Sequence, residues 1–291
     1  MYSMHAPPDA FKYCSSTQAL LADQQLWAEV EAVGAQADEL ERLGRRDEAI
    51  QLLKQTLARL EQERGPDFSL VALRQMLWDA LYAECQHHDA LVVAAQVFAA
   101  VQDRFGKDSA ELQLVAVCLG VSSAACGRLE AGLKLIYNAA PVLQHNLGRM
   151  VEQARAAAAA EDGLDEQAAA TLQDAIDKLA AALGEANFYG SVFTIRHAAA
   201  TQRAAGVVEG WQELQAILVS GFASLMATAG GPEGSAVANA LREHDRLAHD
   251  MGAEPLLARL VSAQNEWLHE IREQGPAHPV FQQIASAQLG G

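Results

Sequence analysis

Basic charge, aromatic rings and cysteine are all scarce in this sequence, and each shortage excludes something. Lys and Arg number 21 against 37 Asp and Glu, a formal net charge of -16 over 291 residues. So acidic a chain repels phosphate backbones and anionic lipid surfaces, and no nucleic-acid or membrane partner is expected. Aromatics make up only 6% of the residues, whereas Ala is abundant. That balance favours closely packed helices over strands, because Ala is the best helix former and aromatic and β-branched residues favour sheets. The four cysteines, Cys14, Cys85, Cys118 and Cys126, form no CxxC pair and are too few for a disulfide scaffold. A reducing, cytoplasmic setting follows from that usage. Long hydrophobic runs are missing as well. The longest uncharged apolar segment, between Glu111 and Arg128, holds 16 residues, short of the ~20 a spanning helix needs. The first ten residues carry neither a basic region nor an apolar stretch, so no signal peptide is expected. No nucleophile elbow, dinucleotide fingerprint, Walker lysine or Asp-rich metal motif is found. Neither a cofactor nor catalysis is therefore expected.

What the chain does have is a 51% share of hydrophobic residues, enough for a sizeable core, and an internal repeat. Leu43-Gly44-Arg45-Arg46-Asp47-Glu48-Ala49 marks a turn and a helix start. The apolar positions Ile50, Leu53, Leu57 and Leu60 then continue at helical spacing to Gly65. The same pattern recurs from His87-His88-Asp89-Ala90, through Val93, Val97 and Val101, to Gly106. Ala49 to Ala90 and Gly65 to Gly106 are both steps of 41 positions. A third copy starts at Cys126-Gly127-Arg128-Leu129-Glu130-Ala131 and closes near Gly148. A fourth starts at Asp162-Gly163 and closes at Gly184. In each copy a Gly is expected to end the first helix, a small Ala to let two backbones approach, and a second Gly to end the second helix. Pro66 or Asp108 is expected to open the following helix.

The pattern resembles the tetratricopeptide repeat in its longer form, as in kinesin light chains. It does so through Leu40, Gly44, Ala49, Leu53 and Leu57; through Trp78, Leu81, Ala90 and Phe98; through Leu119, Gly127, Ala131, Leu135 and Ala139; and through Gly163, Ala168, Leu172 and Ala175. Cys85 stands where the second unit would have its turn Gly. The resemblance implies an all-α protein, a right-handed α-solenoid of about 5–6 stacked antiparallel hairpins. Residues 1–16 are expected to form an irregular tail, 17–184 the repeats, and 185–291 either degenerate hairpins or a separate helical bundle. Helical periodicity continues there over 191–205, 208–229, 235–251 and 255–273, with Gly206 and Gly252 at turn positions and a breaker at Gly230-Gly231-Pro232-Glu233-Gly234.

The resemblance further implies a concave groove lined by the first helix of each hairpin. Its register selects Glu31, Asp38, Glu41 and Arg42 in the first unit, then Gln75, Asp79 and Tyr82, then Gln113, then Gln153. In the C-terminal part it selects Phe193, Arg196 and Arg203, then Asn239, Arg242 and Arg246. Such a groove would be acidic at its N-terminal end and basic at its C-terminal end, with Tyr82 and Phe193 as apolar anchors. Arg would grip carboxylates of a bound segment in two-pronged fashion, unless the chain's own surplus carboxylates claim these arginines first. The implied partner is a protein or peptide segment, with acidic groups at the basic end. The Lys and Asn of a carboxylate clamp are absent, since Gly34, Asp38, Gln75 and Asp79 stand there. Stacked hairpins also permit self-association through their ends.

Two clusters rich in potential ligands, Cys85-Gln86-His87-His88-Asp89 and 244–250, are expected to be a polar turn and an exposed helix face. A zinc site would need four convergent ligands. The other readings are a regulator whose curvature responds to a bound peptide, and an all-helical enzyme in which His197, Arg203, His244 and His249 converge.

Overall fold

A computed structural model of the chain describes residues 24–65, 70–107, 109–159, 166–201, 203–228, 234–251 and 255–281. The expected tail, the Asp162-Gly163 turn, residues 230–233 and Gly252 lie outside these. The described residues are helical, with no strand among them. In chain order the helices are α1 (Gln24–Arg42), α2 (Arg46–Arg64), α3 (Val71–Ala83), α4 (His87–Phe105), α5 (Ala110–Ala125), α6 (Leu129–Ala159), α7 (Glu166–Ala200), α8 (Ala204–Glu209), α9 (Trp211–Thr228), α10 (Ser235–Asp250) and α11 (Pro255–Gln274). The chain divides into two compact units, Met1–Leu179 and Ala180–Gly291, the division falling within α7.

In the first unit, α1 to α6 pack as sequential neighbours. Three hairpins, α1/α2, α3/α4 and α5/α6, are joined by the same three-residue turn. Its central residue is Gly44 at φ 74°, Cys85 at φ 59° or Gly127 at φ 82°. Each turn closes the preceding helix with the same pair of hydrogen bonds. Gly44 N–H donates to Glu41 O and Arg45 N–H to Leu40 O; Cys85 to Tyr82 and Gln86 to Leu81; Gly127 to Ala124 and Arg128 to Ser123. These are Schellman closures, and their central residue must be left-handed, which is why two of the three are Gly. Cys85 adopts the left-handed conformation although it carries a side chain. The second helices of the first two hairpins stop at Gly65 and Gly106, at φ 80° with ψ 179° and φ 83° with ψ 169°. That region is open essentially to Gly alone.

Small residues then set the closeness of packing. Ala49 and Ala90 are fully buried. In the third hairpin the corresponding residue is Gly132, not the expected Ala131, which is exposed. Gly127 lies 42 positions beyond Cys85 instead of 41, so the register advances by one, and Ile136 rather than Leu135 fills the fully buried position. Gly132 faces Gly120 of α5 so closely that a Cβ on Gly132 would lie 2.5 Å from the Gly120 carbonyl oxygen. Helix α5 starts at Ser109, whose Oγ accepts a hydrogen bond from Leu112 N–H at 3.2 Å. The cap is thus Ser109, next to the expected Asp108, which is itself outside the described residues.

The expected closes of the third and fourth repeats are both corrected. Helix α6 does not stop at Gly148 but runs to Ala159, with Pro141 on its exposed side. Helix α7 likewise passes through Gly184 to Ala200. Gly184 is a packing glycine of the second unit: a Cβ there would lie 2.9 Å from Ser224 Cβ and 3.0 Å from the Gly221 carbonyl oxygen of α9. Ser224 Oγ donates to the Ala180 carbonyl oxygen at 2.8 Å across the same contact. Gly206 is also no turn residue, since it sits inside α8. In this unit Phe188, Phe193, Phe222, Val192 and Ile195 are fully buried, and α9, α10 and α11 pack on one another.

Candidate binding groove

The groove positions of the first unit lie on α1, α3 and α5. Gly34, Asp38 and Glu41 share a stripe of α1 at i, i+4, i+7 spacing. A Cβ on Gly34 would lie 2.9 Å from Met76 Cε of α3, so α1 and α3 are in close contact beside this stripe. Asp38 and Asp79 are half-buried, as is Gln113, whose Nε2 donates to the Lys107 carbonyl oxygen at 3.5 Å. Gln75 and Tyr82 are buried instead, at 3% and 6% exposure. Tyr82 is therefore not the free apolar anchor expected of it. It stacks on Trp78 at 5.5 Å between centroids and meets the His87 ring at 5.1 Å. Trp78 is tied in turn to α5 by Nε1–H donating to Ser122 Oγ at 2.7 Å.

Electrostatics single out the α1 end. Burial, and then the neighbouring Glu41, push the Asp38 carboxyl up to about 6. Glu41 is itself raised by burial; Arg46 opposes the rise and Glu84 adds to it. Arg46 is engaged with Glu84 at 2.9 Å. Two partly desolvated carboxylates thus sit side by side under-compensated, and a cation brought to them would relieve both burial and mutual repulsion.

The remaining positions behave differently. Gln153 is exposed, but it belongs to α6, the second helix of the third hairpin, and not to the first helix of a fourth. In the second unit Phe193 is fully buried, so it is core and not an anchor; it stacks on Tyr189 at 6.0 Å. Arg196 lies over the Phe193 ring at 5.7 Å, and its Nη1 donates to Glu243 Oε1 at 2.6 Å. Its Nη2 lies 3.6 Å from Asp250, and Arg246 lies 3.5 Å from the other oxygen of Glu243. Glu243, only 5% exposed at its side chain, claims Arg196 and Arg246, two of the four arginines expected to take a ligand carboxylate. Arg242 donates to Asn239 on its own helix. Arg203 is exposed, at the start of α8.

Helix α10 does not present residues 244–250 as one exposed face. His244 is fully buried, as Leu247 is, while Asp245, Arg246 and His249 are exposed. His244 Nε2 lies 2.9 Å from Gln264 Oε1 and Nδ1 lies 3.1 Å from Asn265 Oδ1. Burial holds its imidazole below the usual histidine range against the pull of those two contacts. A histidine inside an amphipathic stripe with Ala240, Leu241 and Leu247 was the available sequence signal for this network; its partners on α11 left none. The Arg74–Glu61 pair, 2.7 Å apart with Arg74 buried, was also missed, and its signal was the single basic residue of the otherwise mostly apolar α3. Cys85, Gln86, His87, His88, Asp89, Ala125 and Cys126 line an open cavity of about 520 Å³ between the second and third turns. Among the described residues no group of three His, Cys, Asp or Glu side chains is placed to hold a metal ion. None of their helices is long and apolar enough to cross a membrane. No protein-family model matches this chain, and no curated protein matches it either.

Proposed function

We propose that this chain is a non-catalytic protein- or peptide-binding scaffold. Its N-terminal unit is a tetratricopeptide-like, right-handed stack of hairpins, and an extended segment binds across the first helices. The observation that carries this reading is the recurrence of one turn geometry at Gly44, Cys85 and Gly127, each followed five residues later by a buried small residue, Ala49, Ala90 or Gly132. Repetition of a hairpin with a fixed turn and a fixed close contact is what a stacked-repeat surface requires. Function is attached to the site rather than to the fold, and the site favoured here is the α1 end.

Asp38 and Glu41 are half-buried carboxylates without a full complement of positive charge. They support a partner segment that brings Lys or Arg. The arginines of the second unit offer less, because Glu243 and Asp250 already engage Arg196 and Glu243 engages Arg246. Among the described residues Cys85, Cys118 and Cys126 form no disulfide, which suits a reducing compartment such as the cytoplasm.

The test uses a fluorescent Lys- and Arg-rich nonapeptide as probe and measures anisotropy on titration. Replacing Asp38 by Asn and Glu41 by Gln together should weaken binding at least about tenfold, the scale of one lost charge-assisted contact. Replacing the exposed Glu130 and Glu152 of α6 by Gln changes the net charge equally and should leave affinity nearly unchanged. Equal losses in the two double variants would mean attraction to net charge alone, and the reading would fall.

A further inference from the structure

The second unit contains a buried polar chain that no part of the proposed binding role uses. His244 of α10 is fully enclosed, and each of its ring nitrogens faces a carboxamide oxygen of α11, Gln264 Oε1 at 2.9 Å and Asn265 Oδ1 at 3.1 Å. A neutral imidazole has one N–H and one lone pair, so it cannot donate to both. Asn265 is fixed, because its Nδ2 donates to Asp245 Oδ1 at 2.7 Å, and that oxygen also lies 3.3 Å from His269 Nε2. His244 Nδ1–H therefore donates to Asn265 Oδ1, and Nε2 is the side left to Gln264.

Gln264 is 2% exposed, and its own Nε2 is buried without an acceptor. Turning the carboxamide over would let Gln264 Nε2 donate to the bare His244 Nε2. With the carboxamide as it stands, Gln264 Oε1 suits only an imidazolium, and the amide nitrogen is left orphaned. One side chain thus has two settings, one for each charge state of His244, and the protonated setting buries both a charge and an unpaired donor.

We propose that His244 and Gln264 form a protonation-controlled latch between α10 and α11, closed while the imidazole is neutral and loosened when it gains a proton. The ionisable groups around it are few. Helix α10 supplies Asp245, which favours the proton, and Glu243, which is engaged by Arg196 of α7. Helix α11 supplies His269, which opposes it. Helix α7 presents the Phe188 ring, 6.4 Å from the imidazole. One turn before Phe188 lies Glu185, whose carboxyl burial pushes up to about 7. Helix α9 has one ionisable residue, Glu213, exposed in its first turn. Because burial depresses the His244 imidazole, its contribution to stability is complete above its ordinary value of 6.5 and is lost as the pH falls below it. Glu185 acts in the opposite sense and has to be removed from the comparison.

The test is hydrogen exchange by mass spectrometry on the full chain at pH 7.5 and 5.5, corrected for the intrinsic pH dependence of exchange. Glu185→Gln is the common background, with and without His244→Phe. Acidification should cut protection of the α10 and α11 peptides about tenfold more with His244 present than with Phe. The α3 to α5 peptides should show no such difference. Equal pH responses in the two proteins would overturn the latch. Nitrogen-15 spectra of the wild-type histidines need no variant to fold. At pH 7.5 they should show one buried ring with Nδ1 protonated and Nε2 bare. An imidazolium or the opposite tautomer at that pH would overturn it equally.

Discussion

Replacing Cys85 by Gly should stabilise the first unit. The residue sits at φ 59° in a closure whose counterparts are Gly44 and Gly127. A side chain held in the left-handed region costs about 1–2 kcal/mol. Glycine returns part of that gain, since its greater freedom in the unfolded chain costs about 0.5–1 kcal/mol. Cys85 is exposed, so the substitution removes little packing. The net expectation is a gain of about 0.5–1 kcal/mol, about 1–4 °C in melting temperature. The reverse perturbation should fail for the same reason. No atom lies within 4 Å of a Cβ built on Gly44 or Gly127, so a clash is not the obstacle. Gly44→Ala and Gly127→Ala should nonetheless lose about 0.5–1 kcal/mol, the backbone strain of about 1–2 kcal/mol less what a stiffer unfolded chain returns. Urea unfolding followed by circular dichroism gives the sign, and hydrogen exchange on α3 and α4 assigns the change to the first unit, because a chain of two units need not unfold in one step. A destabilised Cys85→Gly, or a neutral Gly44→Ala, would refute the equivalence of the three turns.

Other outcomes follow from the close contacts and the buried charges. Gly132→Ala in the first unit and Gly221→Ala in the second should each cost about 1–3 kcal/mol by thermal melting, since their new Cβ atoms would lie 2.5 Å and 2.7 Å from facing carbonyl oxygens. Arg196→Ala should cost about 1–3 kcal/mol in the second unit by thermal melting followed by circular dichroism, because it removes the 2.6 Å partner of buried Glu243 and leaves it only Arg246 at 3.5 Å. Asp38, raised to about 6, weakens the first unit as it ionises: the unit is favoured at acid pH, and that advantage is lost as the pH rises through about 6. Asp38→Asn should remove this dependence and add about 1 kcal/mol at pH 7.5, discounted from about 3 for the solvent that Asp38 still touches.

Much of the helical order was legible because glycine has a definite meaning when it ends a helix. Gly44, Gly65, Gly106 and Gly127 all fell at real turns or caps, and Cys85 was recognisable as their substitute. Gly148, Gly184 and Gly206 were misread for the same reason. A glycine serves equally where two backbones touch, and only the tertiary partner, Gly221 for Gly184, tells the roles apart. Adjacent Ala131 and Gly132 are both small, so a one-residue advance of the register was invisible. Of the candidate site, Asp38 and Glu41 came from the register that the tetratricopeptide resemblance implies, and helical spacing puts both on one stripe of α1. The fate of Arg196 was not legible, because its partner Glu243 lies 47 positions away on another helix. Tyr82 and Phe193 read as anchors in the sequence because an aromatic at a groove position and an aromatic in a core look identical without burial.

The central claim is that the α1 end of the N-terminal unit receives a cationic segment through Asp38 and Glu41. Calorimetry of the Lys- and Arg-rich nonapeptide at pH 6, run in two buffers of different ionisation enthalpy, tests it most directly. A cation that holds Asp38 ionised must displace the proton that the free carboxyl, at about 6, retains in about half of the molecules. Wild-type protein should therefore release about half a proton more on binding than Asp38→Asn does. Binding without proton release, or the same release from both proteins, would contradict the account.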